Sequence, residues 1–255
     1  MKFRGFQIAI YTSLAVIISI VLGFTFWAYS PMKPTPDAEE YLKSSRNVEV
    51  IHQKHVYFIP QNFGKNKFAD IGIIFYPGGH VESLAYAPLG YKLAENGVFS
   101  VILSVPLNFA IFDTNAAFDV ISKYPNIKWF VAGHSLGGVA ACEFAQGNQE
   151  SIAGVILLAS YPSKDLSNSR LNVLSIYGSE DGILPLKKLE EKKKLLPENT
   201  KYVEIFGGNH SQFGYYDFQN GDNPARISPD QQLSLIVKSI LEFLEEQIQQ
   251  EQTNN

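Results

Sequence analysis

Ser135 sits in the run Gly133-His134-Ser135-Leu136-Gly137-Gly138, a Gly-x-Ser-x-Gly pattern with small residues on both sides. A serine hydroxyl is a weak nucleophile. It attacks a carbonyl only when a base takes its proton and a third group orients that base. A single histidine follows in the chain, His210, within Gly207-Gly208-Asn209-His210. Between them lie two adjacent carboxylates, Glu180 and Asp181, within Gly178-Ser179-Glu180-Asp181-Gly182, while Asp165 and Asp217 are weaker candidates. The chemistry of such a set is acyl transfer. The serine oxygen bonds to a carbonyl carbon, the imidazole passes the proton to the leaving group, and water releases the acid.

These side chains meet only if the intervening chain folds into a parallel sheet. Residues 128–132 form a short apolar run of strand formers before Ser135, and 139–145 read as a helix after it. Residues 173–177 and 202–206 are further strand-like runs, and Asp181 and His210 each follow one of them. All three candidates thus fall just past the carboxyl end of a strand. Those ends line up along one edge of a parallel sheet, where open α/β folds place ligands.

The rest of the chain fits this frame. Residues 48–50 and 55–59 read as an antiparallel edge, with His52 and His55 as exposed edge histidines. The continuous apolar runs 71–75 and 152–159 predict buried strands, and 99–105 predicts another. Helices are expected over 84–96, ended by Gly97, and over 115–123, stopped before Pro125. A helix should start near Pro185, with its lysines on a solvated face. The last helix should open on a Ser228-Pro229 cap completed by Gln231, and 249–255 should be a frayed tail. Residues 160–171 leave no room for a large lid, so an open site is expected.

The first 35 residues differ. From Gly5 to Met32 there are 28 residues without a charge, enough to cross a bilayer as a helix. Trp27 and Tyr29 fall where an interfacial aromatic belt would sit, and Lys2 and Arg4 precede the span. This predicts a cytoplasmic N-terminus and an extracytoplasmic domain at the cell membrane, with a cleaved signal peptide as the competing reading. Pro31, Pro34 and Pro36 suggest a stiff spacer. The division expected is 1–35 for anchor and spacer and 36–255 for the catalytic domain.

Composition narrows the partners. The formal net charge of −4 gives no basic surface for nucleic acid. The single cysteine, Cys142, excludes an internal disulfide and reads as a buried packing residue. No metal-binding or nucleotide-binding motif occurs, so no metal or cofactor is expected. The run 217–222 lacks the glutamate of a calcium loop.

The motifs Tyr76-Pro77-Gly78-Gly79, Gly133 to Gly138, Gly178-Ser179-Glu180-Asp181 and Gly208-Asn209-His210 resemble those of the α/β-hydrolase family, over roughly residues 48–244. The nearest likeness is to its small, lid-poor members akin to dienelactone hydrolases. Those use a cysteine nucleophile where this chain has Ser135, so the architecture carries over and that substrate does not. The resemblance implies an α/β-hydrolase fold, a mostly parallel sheet with helices on both faces, preceded here by the N-terminal transmembrane helix. It implies Ser135 as nucleophile, His210 as base and then acid, and Asp181, four residues past its strand, as the orienting carboxylate. The oxyanion would be held by the backbone N–H groups of Leu136 and Gly79, with His80 as the alternative to Gly79. Pro77 stands where the family often has histidine. His80, Tyr215, Tyr216 and Phe218 are possible substrate-binding residues. The function expected is a membrane-anchored serine hydrolase acting on a small-molecule carboxylic ester. A catalytically silent binding protein at the cell surface, or an acyltransferase or lipase using the same residues, are the alternatives.

Overall fold

A computed structural model describes residues 2–254. Eight strands form one sheet in the order β1-β2-β4-β3-β5-β6-β7-β8. They are β1 (Val48–His52), β2 (Val56–Pro60), β3 (Ile71–Tyr76), β4 (Phe99–Ile102), β5 (Lys128–His134), β6 (Gly154–Leu158), β7 (Asn172–Gly178) and β8 (Lys201–Ile205). β2 runs antiparallel to β1 and β4, and every pairing from β4 to β8 is parallel. The central strands alternate between two cores. Ile73, Phe75, Phe130, Ala132, Ile156 and Leu158 face one, while Ile74, Trp129, Val131, Val155 and Leu157 face the other. Burial on both faces is why these strands read as unbroken apolar runs.

Among the described residues, seven α-helices complete the fold: α1 (Lys2–Ala28), α2 (Pro36–Glu40), α3 (Ala87–Glu95), α4 (Ala117–Ile121), α5 (Leu136–Gly147), α6 (Leu186–Lys192) and α7 (Pro229–Asn254). α3 and α7 cover the first core through Leu89, Leu93, Ile236 and Ile240, and α4 and α5 cover the second through Val120, Ala141 and Phe144. The start of α7 is a complete capping box. Gln231 N donates to Ser228 Oγ at 3.2 Å, and Ser228 N donates to Gln231 Oε1 at 3.0 Å.

Several sequence expectations shift. The helix expected over 84–96 divides into a short 3₁₀ turn and α3, with Gly97 at φ 96° beyond its end. α4 is shorter than expected, because Tyr76 Oη donates to Thr114 O and accepts from Ala117 N, holding the preceding segment as a turn. His55 is not exposed. It is buried, with Ser104 N donating to Nδ1 at 3.1 Å. The expected frayed tail continues α7, held by Lys128 on Glu251 at 2.6 Å; Asn255 lies outside the described residues. Nor is the proline-rich segment a free spacer. Met32 N donates to His80 O, Glu82 N to Met32 O and Thr35 N to Tyr215 O, so it lies across the loops that follow β3 and His210.

Candidate active site

β5 ends at His134 and α5 begins at Leu136, so Ser135 makes the turn by itself, with φ 53° and ψ −119°. A non-glycine residue holds such a conformation at a cost on the order of 1–3 kcal/mol. The flanking glycines permit the geometry. A Cβ at Gly133 would lie 2.3 Å from the Gly137 backbone, and one at Gly137 would lie 2.2 Å from Tyr76 O. The strained residue is tied to the neighbouring strand: Ser135 N donates to Leu158 O at 2.9 Å, and Ser160 Oγ donates to Ser135 O at 2.7 Å.

Asp181 and His210 follow β7 and β8 and meet in the interior. His210 Nδ1 donates to Asp181 Oδ2 at 2.9 Å, while Asp181 Oδ1 accepts from the N–H groups of Ile183 and Leu184 at 2.8 and 2.7 Å. These bonds fix the carboxylate and place the imidazole proton on Nδ1. In the neutral imidazole the lone pair is then on Nε2, which is buried and has no partner among the described residues. Ser135 and His210 line one cleft of about 260 Å³, walled by Leu136, Val139, Tyr161, Leu184 and Pro185. Glu180, the rival carboxylate, pairs with Arg226 at 3.2 Å. Asp165 accepts from Ser167, and both it and Asp217 are exposed.

The loop after β3 lies beside the serine turn. Gly78 N donates to Tyr86 Oη at 3.0 Å and His80 N to Asn108 O at 2.8 Å. Between them, Gly79 N–H has no acceptor among the described residues. Leu136, first residue of α5, has no intrahelical acceptor for its own N–H. The two residues are in contact, since a Cβ at Gly79 would lie 2.9 Å from Leu136 Cδ2.

Residues 72–234 match the model of the Alpha/beta hydrolase family, more than half of the chain. This chain belongs to the alpha/beta hydrolase family. Solved structures share its fold at low identity. A dienelactone hydrolase from Anabaena variabilis is similar at 16% identity and TM-score 0.58, covering 79% of this chain and 99% of its own. Est1E from Butyrivibrio proteoclasticus is similar at 18% identity and TM-score 0.54, with 79% and 99% covered. TT1662 from Thermus thermophilus is similar at 17% identity and TM-score 0.57, with 79% and 98% covered. A comparison with curated protein sequences found no match.

In this alpha/beta hydrolase, side chains without a sequence motif hold the site together. Asp222 is buried and bridges the acid and histidine loops. It accepts from Gly182 N at 2.9 Å, from Ser211 N at 2.8 Å and from Ser211 Oγ at 2.7 Å. Gln232 of α7 makes paired bonds with the Asn209 backbone at 3.0 and 2.8 Å. Tyr86 Oη, engaged by Gly78 N, meets His134 Nδ1 at 2.9 Å, which links the loop after β3 to the serine turn. Burial, with His210 nearby, holds the His134 imidazole well below the usual histidine range. Sequence reading overlooked Asp222, Gln232 and Tyr86. Only the turn-forming Asn220-Gly221 before Asp222 hints at its place.

The structure does not bring four of the expected residues to the cleft at Ser135. His80, at φ 59°, turns toward α1, where its ring stacks on Trp27 at 4.0 Å and its Nε2 meets Trp27 O at 2.8 Å. Tyr215 bonds to Asp230 through its hydroxyl and to Ala85 O through its N–H. Tyr216 is buried against Tyr86, and Phe218 is exposed. Tyr215, Tyr216 and Phe218 instead line a separate cleft of about 350 Å³. Cys142 is buried, which pushes its thiol up to about 12.

Proposed function

We propose that this chain is a membrane-anchored serine hydrolase that cleaves carboxylic esters. Ser135 Oγ attacks the acyl carbon, and His210 Nε2 takes its proton. Asp181 stabilises the imidazolium, and the N–H groups of Gly79 and Leu136 receive the oxyanion. His210 then protonates the leaving alcohol, and water repeats the sequence on the acyl-enzyme. The observation that carries this reading is the buried His210 Nε2, without a partner among the described residues. It is backed by Asp181 and shares a cleft with a strained serine. A buried polar atom left without a partner calls for a reason. A nitrogen waiting for a serine proton supplies one, and such bonds tighten when substrate binds.

The anchor is α1. Its apolar stretch, Ala9–Ala28, has 20 residues, of which only Ala28 at its end is buried. At 1.5 Å per residue it extends about 30 Å, the thickness of the hydrocarbon core. Ala28 is buried and Trp27 stacks on His80, which favours a helix that stays attached over a cleaved signal. The basic residues before the span favour an extracytoplasmic catalytic domain.

The test is labelling of the full-length protein with a fluorophosphonate probe alongside turnover of an activated ester. Labelling and turnover that both vanish in Ser135→Ala are expected. Unchanged turnover in that variant would reject Ser135 as the nucleophile. For the orientation, protease added outside sealed cells should reach the domain. Protection until lysis would invert it.

A further inference from the structure

The membrane helix does not end in free solution above the domain. Its last turn packs on the loop that borders the candidate oxyanion hole. Phe109 stacks on Phe24 at 6.5 Å and meets Trp27 at a tilt at 5.6 Å. Phe24 is four residues before Ala28, which puts it roughly 6 Å back along the helix, inside the apolar span. The loop carrying Phe109 therefore reaches the level of the hydrocarbon boundary.

That loop is composed for such a place. Residues 105–112 read Val-Pro-Leu-Asn-Phe-Ala-Ile-Phe, with no charge. Ile111 and Phe112 are 45% and 52% exposed, and Phe112 meets Phe109 edge-on at 5.9 Å. Leu107 and Asn108 are both left-handed, at φ 54° and 58°, a strained pair. The strain is held by Asn108, whose side chain donates to Ala28 O at 3.1 Å and whose carbonyl accepts from His80 N at 2.8 Å. The same loop touches the site, for a Cβ at Gly79 would lie 3.3 Å from the Phe109 ring. One residue thus separates the spanning helix from the oxyanion donor.

We infer that Phe109, Ile111 and Phe112 form a collar seated in the bilayer interface beside α1, and that the cleft at Ser135 takes lipid esters from that bilayer. The inference rests on Ser135 as nucleophile and α1 as anchor. The cleft is about 260 Å³, below the range of roughly 300–1,000 Å³ that encloses a drug-sized ligand. It admits the ester group and the carbons next to it, while the remaining tail stays among the lipids. The short connection from β6 to β7 carries no lid, and the membrane covers the site in its place.

The experiment uses the full chain reconstituted in dioleoylphosphatidylcholine vesicles containing dioleoylglycerol. Oleate release is measured beside turnover of water-soluble p-nitrophenyl acetate and fluorophosphonate labelling. The double variant Ile111→Asp, Phe112→Asp should lose at least tenfold in oleate release while soluble-ester turnover and labelling stay unchanged. Wild-type protein that cleaves the soluble ester but releases no oleate overturns the lipid substrate, as does a double variant with undiminished oleate release. Absence of both labelling and turnover in the wild type overturns the nucleophile reading and the substrate with it. The collar has a separate readout. A nitroxide on Phe112→Cys should relax with oxygen in the bilayer rather than with an aqueous nickel complex, and the opposite preference overturns the collar whatever the activity.

Discussion

The two flanks of the Ser135 cleft are held by different means. On the flank of Asp181 and His210, buried side chains of the domain itself fix the loops that carry the two residues. Asp222 ties Gly182 to Ser211, and Gln232 clamps Asn209. On the flank of Gly79, bonds within the domain from Gly78 N to Tyr86 Oη and from His80 N to Asn108 O are joined by support from residues 27–32. His80 leans on Trp27, Asn108 on Ala28 O, and the His80 carbonyl on Met32 N. The proton-transfer half is thus rigid by internal hydrogen bonding. The half proposed to hold the oxyanion takes its shape from the end of α1, the helix proposed as the membrane anchor. Tyr86 and His134 are the polar link between them. The difference teaches that the N-terminal segment, beyond its proposed role as anchor, packs on the loop that borders Ser135.

Variants can break or sharpen this contrast. Ser135 belongs to both flanks, and Ser135→Ala should cost the most. A loss of roughly 10⁴-fold or more in kcat is expected, with residual turnover from the oxyanion donors. Next, Asp181→Asn should cost about 10⁴-fold, because an amide supports the wrong imidazole tautomer. Glu180→Gln should stay within about threefold, since Glu180 pairs with Arg226 away from the imidazole. Steady-state kinetics of both variants on one ester checks this pair, and the reverse ranking removes Asp181 from the site.

Asp222→Ala should lower kcat by about 10²-fold through misplacement of His210. It should also lower unfolding free energy by about 1–3 kcal/mol, as buried donors lose their acceptor. Denaturant unfolding and the pH profile of kcat separate the two effects. A variant that is destabilised but kinetically normal would show that the loop does not need this staple. On the other flank Trp27→Ala removes the ring contacts with His80 and Phe109, each worth about 0.5–1.5 kcal/mol, and since only part of that reaches Gly79, kcat should fall about 2- to 10-fold. His210 and Asp181 should remain unaffected, which predicts an unchanged pH profile. A loss as large as that of Asp222→Ala would erase the contrast between the flanks.

The smallest effect concerns the link. His134 is held below its ordinary value of 6.5 by burial, so the unfolded chain binds its proton more readily. Stability from this group is complete above about pH 6.5 and declines as pH falls below it. Thermal unfolding from pH 8 to pH 5 should show that decline. The slope between pH 6.5 and 5 should be shallower in His134→Gln. An identical slope would assign the decline to other groups, of which His55, also lowered by burial, is the next to test.

Much of the fold was legible because its signals are local. Runs of apolar residues that must be buried on both sides predict parallel strands, and the small residues around Ser135 predict a close approach of strand and helix. The order of nucleophile, carboxylate and histidine followed from the strand ends. Tyr215 and Tyr216 show the limit. Their closeness to His210 in the chain suggested a substrate wall, but the chain turns after the 3₁₀ segment Ser211–Phe213. Tyr215 is directed to Asp230, and Tyr216 into the core. Asp222 shows the converse. Twelve residues beyond His210, it reaches back to the histidine loop, a contact made by a loop closure that no local pattern encodes.

By itself the sequence determined the sheet, the strained serine turn, the carboxylate and imidazole placed past their strands, and an apolar stretch long enough to cross a bilayer. Each depends on the residue types within one segment and on the backbone geometry they permit. Only the tertiary structure sets Asp181 on the His210 imidazole and Glu180 on Arg226, neighbours in the chain whose side chains diverge across a turn. It alone turned His80 away from the Ser135 cleft toward Trp27, and it alone set the proline-rich segment against the loops after β3 and His210. Those outcomes depend on which distant segments pack together. Such packing is set by the summed burial of the whole molecule rather than by any one stretch of residues.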